Sequence, residues 1–196
     1  GDEAPLLTTQ LGYVQLTTVS EVATPIAGAT AVDTAAEAIE HQWNYAKGMC
    51  VGERYFDDDD QGGALFLARD DHFADGLGAA YSAGTVDTGV LLTNPSKLSS
   101  AAKQAIRRQG VQTVYIVGGD LAISDAVEAE LAGTTAYYCG GNQPRLDPNT
   151  GKPKKLVVER IAGETLYDTN ELLAEFAGAE SPMAFGAFGL WGAADP

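Results

Sequence analysis

Cysteine, histidine and methionine are scarce in this chain, with two of each in 196 residues. Cys50 and Cys139 have no CxxC spacing and no histidine cluster beside them, which argues against structural zinc. A single disulfide and two buried free thiols are both consistent with an even count. Basic residues are also few, 12 against 27 acidic ones, for a net charge of -15. That balance excludes nucleic acid as a partner, because neutralising phosphates takes surplus Lys and Arg. No run of about 18 apolar residues occurs, so no segment reads as a membrane span. The opening GDEAPLLTTQ lacks a basic region followed by an apolar one, so a secreted protein starting here has already lost its signal. G-x-S-x-G, H-E-x-x-H and GKS or GKT are missing, and only His41 and His72 are available as imidazole bases.

What is present is enough apolar residue, 45% of the chain, to bury a core. Three apolar runs, ALFLA (64–68), GVLLT (89–93) and TVYIV (113–117), recur about every 25 residues. Near-continuous runs of this kind are strands covered on both faces. Between them lie helical patterns. Phe73, Leu77, Ala80 and Tyr81 share one face of the first, which Gly84 can end. Leu98, Ala101, Ala102, Ala105 and Ile106 form the stripe of the second, closed by Gly110. A third helix begins at Ser124 as N-cap and turns Val127 and Leu131 inward. Strand–helix–strand at this spacing implies right-handed crossovers, hence an α/β fold with a mainly parallel sheet and helices on both faces.

One short repeat stands out. Ile-Ala-Gly, a four-residue gap and Asp-Thr occur at residues 26–34 and again at 161–169. In each copy the aspartate, Asp33 or Asp168, is placed to cap a helix carrying an apolar stripe. Two stretches read as insertions. Residues 52–63 break every period and hold four consecutive aspartates, and residues 139–155 are rich in Gly, Pro, Asn and Lys around the turn sequence DPNTG. The chain thus divides into a lead-in (1–24), an α/β module (25–178) and a tail (179–196) that completes the sheet or starts a further repeat.

ARDDHFADGLGAA, VLLT, VYIVGGDLAIS and RIAGETLYDTN, in that order, resemble the cell wall binding repeat 2 family of secreted Gram-positive surface proteins. The resemblance runs from about Ile26 to the C-terminus and passes over both insertions. It implies a Toprim-like or Rossmann-like three-layer module and an extracellular place on the cell wall. The implied partners are an anionic, teichoic-type wall polymer or glycan and sibling repeats of the same protein, with oligomerisation left open. No catalytic role and no cofactor are implied. In the tail, Trp191 falls near the place of Phe73 and Asp195 near that of Asp75, as at the opening of another copy. Where family members often have Arg-Tyr before Asp-Thr, this chain has Leu166-Tyr167 and Ala31-Val32, which weakens any contact made by those arginines.

The candidate ligand-binding residues fall into three groups. Arg69, Asp71, Phe73 and Asp75 cluster after the first strand, at the end where open α/β sheets bind ligands. Carboxylates beside His72 suit acid–base work, but capping the helix and tying the loop to its partners is the favoured reading. Gly118, Gly119 and Ser124 form the second group. With no third glycine at Rossmann spacing they read as a hinge whose following helix end can take an anion but not a dinucleotide. Lys154, Lys155 and Arg160, with Lys152, make the third, a basic cluster on an acidic chain, suited to a wall polymer or to solubility alone. The Asp57–Asp60 run lacks the alternating spacing of an EF-hand, so it reads as a solvated loop, not a Ca²⁺ site.

Overall fold

In a computed structural model of the chain, residues 7–9, 12–14, 25–44, 50–51 and 63–180 are described. The aspartate run, residues 52–62 and the tail from 181 onward lie outside them. β1 (Leu7–Thr9) and β2 (Gly12–Val14) make an antiparallel pair by themselves. The main sheet holds β3 (Ala64–Arg69), β4 (Val90–Thr93), β5 (Thr113–Val117) and β6 (Val157–Ile161), all parallel, in the order β4-β3-β5-β6. The helices are α1 (Ala31–Gln42), α2 (Phe73–Thr85), α3 (Ser100–Arg108), α4 (Asp125–Gly133) and α5 (Leu166–Glu180).

The three apolar runs are the three central strands. β3 is buried through Ala68, as a strand covered on both faces must be. α1, α3 and α4 cover one face, packing Ile39, Trp43, Ala102, Ile106, Val127 and Leu131 against Leu65, Leu67, Val114 and Ile116. α2 and α5 cover the other, where Phe66, Tyr115 and Phe176 meet with ring centroids 4.8–5.5 Å apart. The architecture is α/β in three layers, as expected. Gly110 takes φ +64° after α3, the left-handed helix stop its position calls for. Gly84 does not stop α2, which runs to Thr85.

The cap residues differ from expectation. Thr30, not Asp33, is the N-cap of α1, and Asp33 is the third residue of a capping box. Thr165 and Asp168 repeat the arrangement before α5.

Between α4 and β6 the second insertion forms an ordered arm over residues 134–156. Its three segments join through the bridges Tyr137↔Pro144, Leu146↔Pro153 and Thr135↔Lys155. At the centre three backbone hydrogen bonds close a ring: Ala136 N–H donates to Lys154 O (2.9 Å), Lys154 N–H to Arg145 O (2.8 Å) and Arg145 N–H to Ala136 O (2.9 Å). These positions stand nine residues apart, as do the outer donors Tyr138, Asp147 and Leu156, which bond Gln143, Lys152 and Thr134 carbonyls. The arm is therefore pseudo-threefold. Pro144 and Pro153 occupy equivalent positions between two bonded residues, where a missing N–H costs nothing.

A disulfide joins Cys139, at the first turn of the arm, to Cys50 ahead of β3. Gly140 N–H bonds Arg108 O at 2.8 Å, and the buried Gln109 side chain links Trp43 O to Val51 N–H. The arm is thereby fastened to the end of α3 and to the segment entering the sheet.

Candidate functional site

β3 and β5 are neighbours whose following helices, α2 and α4, leave to opposite faces, so the cleft beyond their C-terminal ends is the topological switch point of the sheet. Arg69, the last residue of β3, turns its guanidinium onto Asp71, with Nε–Oδ1 at 2.5 Å and Nη2–Oδ2 at 2.8 Å. This fork holds the Asp71 carboxyl below the usual aspartate range. His72 is the N-cap of α2 but makes no side-chain cap bond, and its ring stacks on Phe73 at 5.5 Å.

Asp75 behaves differently. Only 8% of it is exposed, and among the described residues no group donates a hydrogen bond to its carboxylate. Burial pushes its carboxyl above the ordinary aspartate range, against the pull of Arg69 and His72. Across the cleft Gly118 has φ +93°, and a Cβ placed there would stand 3.3 Å from Asp75 Oδ2 and 2.7 Å from the Ala122 methyl. Gly118 is thus required by backbone and by space, while Gly119 is unconstrained on both counts.

The remaining candidates separate. Arg160, at the C-terminal end of β6, is bound to Glu128 at 2.6 and 2.9 Å and to Gly118 O at 2.8 Å. It props the double-glycine turn and offers little charge to a ligand. Ser124 is the N-cap of α4, as expected, yet its hydroxyl is buried without a partner and caps nothing. Asp125 and Glu128 already place two carboxylates in that first turn, which opposes a bound anion. Lys154 and Lys155 bond Gln112 Oε1 and Gly133 O, at the opposite end of the sheet. The length of β5, about 16 Å, divides them from Gly118 and from Arg160. The expected basic cluster is therefore two places.

Of the apolar rim, only Phe73 is among the expected ligand residues; Leu121 and Tyr167 are not. Phe73, Leu121 and Tyr167 are 80%, 88% and 83% exposed, and each follows the C-terminal end of a different strand. Their exposure of 80% or more and their common place beyond the strand ends mark this end of the sheet. Below Phe73, an apolar groove of about 330 Å³ runs between α2 and α5, lined by Leu77, Gly78, Tyr81, Asn170, Leu173 and Ala174 among others. Among the described residues no group of His, Cys, Asp or Glu is arranged to hold a metal, and no helix is long and apolar enough to cross a membrane.

Residues 26–128 match the family model of cell wall binding domain 2 (CWB2). The chain belongs to that family. The match takes in α1 through the first turn of α4 and stops before the arm, β6 and α5, short of the C-terminal extent expected from the sequence. Two solved structures from Clostridium difficile share the fold. Cwp6 has TM-score 0.55 and 23% identity over 76% of this chain and 18% of its own. Cwp8 has TM-score 0.53 and 23% identity over 77% of this chain and 21% of its own. The chain thus spans about a fifth of either protein. No curated protein sequence matches it. Membership of CWB2 carries a cell-wall binding role and a place at the cell surface.

Proposed function

We propose that this CWB2 domain helps retain a larger secreted protein on a Gram-positive wall by binding a secondary wall polymer, and that it does so without catalysis. The observation that carries this reading is the apolar rim at the switch point, where Phe73, Leu121 and Tyr167 stand exposed around a loop rich in hydrogen-bonding groups. Aromatic faces and fixed polar groups suit sugar rings, and the place is where open α/β sheets take ligands. The absence of turnover is supported by the state of the carboxylates. Asp71 is spent on Arg69, and Asp75 is buried beneath the loop.

Co-sedimentation with wall sacculi, before and after their secondary polymers are stripped, tests the reading. Retention that disappears on stripping, and that Phe73→Ala with Tyr167→Ala weakens, supports it. A domain that stays in the supernatant with intact sacculi overturns autonomous anchoring, and turnover of wall fragments that Asp75→Asn abolishes overturns the non-catalytic part. A second reading, packing against a sibling repeat, is favoured by the α2–α5 groove. Concentration-dependent association without wall binding, lost in Leu77→Asp, decides for it.

A further inference from the structure

The arginines at the switch point are already paired with carboxylates. Arg69 is held by Asp71 and Arg160 by Glu128, while Lys103 and Arg108, elsewhere on the body, pair with Glu130 and Glu40. The arm gathers cations more densely. Residues 134–156 carry Arg145, Lys152, Lys154 and Lys155 with one acidic residue, Asp147, on a chain of 12 basic and 27 acidic residues. Asp147 turns its carboxylate inward onto the backbone N–H groups of Asn149 and Thr150 at 2.8 and 2.9 Å. Among the described residues no carboxylate forms a salt bridge with Lys152, Lys154 or Lys155, and Asp147 acts on Lys154 only through its charge. The latter two are positioned by neutral acceptors, Gln112 Oε1 at 2.8 Å and Gly133 O at 2.7 Å, which fix the ammonium groups without neutralising them.

Beside them Arg107 lies over the Tyr137 ring at 4.5 Å and Arg145 over the Tyr138 ring at 4.3 Å, with Tyr138 46% exposed. The closed hydrogen-bond ring and the disulfide hold all of this in one shape. Ordering long cationic side chains on a flexible loop would consume most of the attraction to a ligand, and here that ordering is already done. A surface of fixed cations and tyrosine edges, on a body that repels anions elsewhere, is complementary to a chain carrying repeated negative charge and sugar rings.

We propose that the arm is a binding surface for a polyanionic glycan, one bearing phosphodiester or uronate groups, separate from the switch-point rim. The inference deepens the wall-polymer reading: the rim meets the sugars, and the arm reads their charge. It also places part of the recognition outside the stretch matched by the family model.

The test uses the full chain with purified poly(glycerol phosphate), polygalacturonate and neutral dextran at low salt. Binding of the first two but not dextran is expected, weakening as salt screens the contact. Replacing Lys152, Lys154 and Lys155 together by Gln is expected to weaken it by about tenfold or more, and replacement by Arg to retain it. Lys97→Gln with Lys103→Gln lowers the net charge without touching the arm and is expected to leave binding unchanged. A wild type that binds neither polyanion, a triple Gln variant that binds like wild type, or a Lys97/Lys103 control that loses as much overturns the proposal. So does self-association through the same lysines with no polyanion bound. Binding to one polyanion alone says which group is read. Purified polyanions bound while sacculi are ignored leaves the arm standing and removes only the wall-retention reading.

Discussion

Asp168 holds Thr165 by two bonds to one oxygen, accepting from its backbone N–H and its hydroxyl at 2.8 Å each, and Asp33 holds Thr30 the same way at 3.1 and 2.7 Å. Behind each pair the next threonine, Thr169 or Thr34, accepts the N–H of Gly163 or Gly28 at 3.0 Å. The Ile-Ala-Gly…Asp-Thr repeat is therefore a capping loop used twice, once for a helix on each face of the sheet. Thr30→Ala and Thr165→Ala should each cost about 1 kcal/mol in urea unfolding. Being on opposite faces, the two losses should add. A double variant that loses no more than one single change would show that the loops are not independent.

Gly118 and Gly119 separate in a second experiment. Alanine at Gly118 must adopt φ +93° and push against the Ala122 methyl, so a loss of about 1–3 kcal/mol is expected. Alanine at Gly119 meets nothing within 4 Å and should shift the midpoint little. Equal losses in the two variants would mean that the turn rearranges and that the hinge role does not belong to Gly118.

Much of this was legible from residues alone, because apolar runs, helix stops and the Asp-Thr repeat are local signals. ALFLA, GVLLT and TVYIV became β3, β4 and β5 within a residue or two. What failed was anything decided by a partner far along the chain. Arg160 looked like part of a lysine cluster and is instead spent on Glu128 of α4. The arm read as an exposed loop or hairpin from its composition, without its threefold closure. Its one sequence sign is the return of Gln143-Pro144-Arg145 as Lys152-Pro153-Lys154, too short to outweigh glycine and proline nearby. The cysteine pairing stayed open for the same reason, since no spacing rule says that residue 50 and residue 139 meet.

Asp75 sets a pH dependence with a definite sign. Its folded carboxyl titrates above the unfolded one, so the folded state holds the proton more tightly. Between the two values unfolding releases a proton, and this group's contribution to stability falls as pH rises through that window. Asp75→Asn should remove that slope and raise stability above that window, where wild type buries a charge. Urea midpoints from pH 3 to pH 7 for both proteins check it. An Asn variant less stable than wild type at pH 7 would show instead that Arg69 and His72 outweigh the burial.

The disulfide should matter most locally. Cys50–Cys139 closes a loop of about 90 residues, for which removal costs about 2–5 kcal/mol. Yet β3 and β5 lie inside that loop and keep their own ladder, so the sheet has other means of cohesion. The arm relies on its central ring, on the Gly140–Arg108, Arg107–Gly141, Lys154–Gln112 and Lys155–Gly133 bonds and on the tyrosine–arginine stacks. Cys50→Ser with Cys139→Ser should therefore fold, with a lower midpoint, and with amide exchange quickened first at Ala136, Arg145 and Lys154. Polyanion binding should weaken with it, since cations that must be ordered on binding lose part of their advantage. If those three amides stay protected in the reduced protein, the ring holds itself. The bridge then serves only to anchor the segment between α1 and β3.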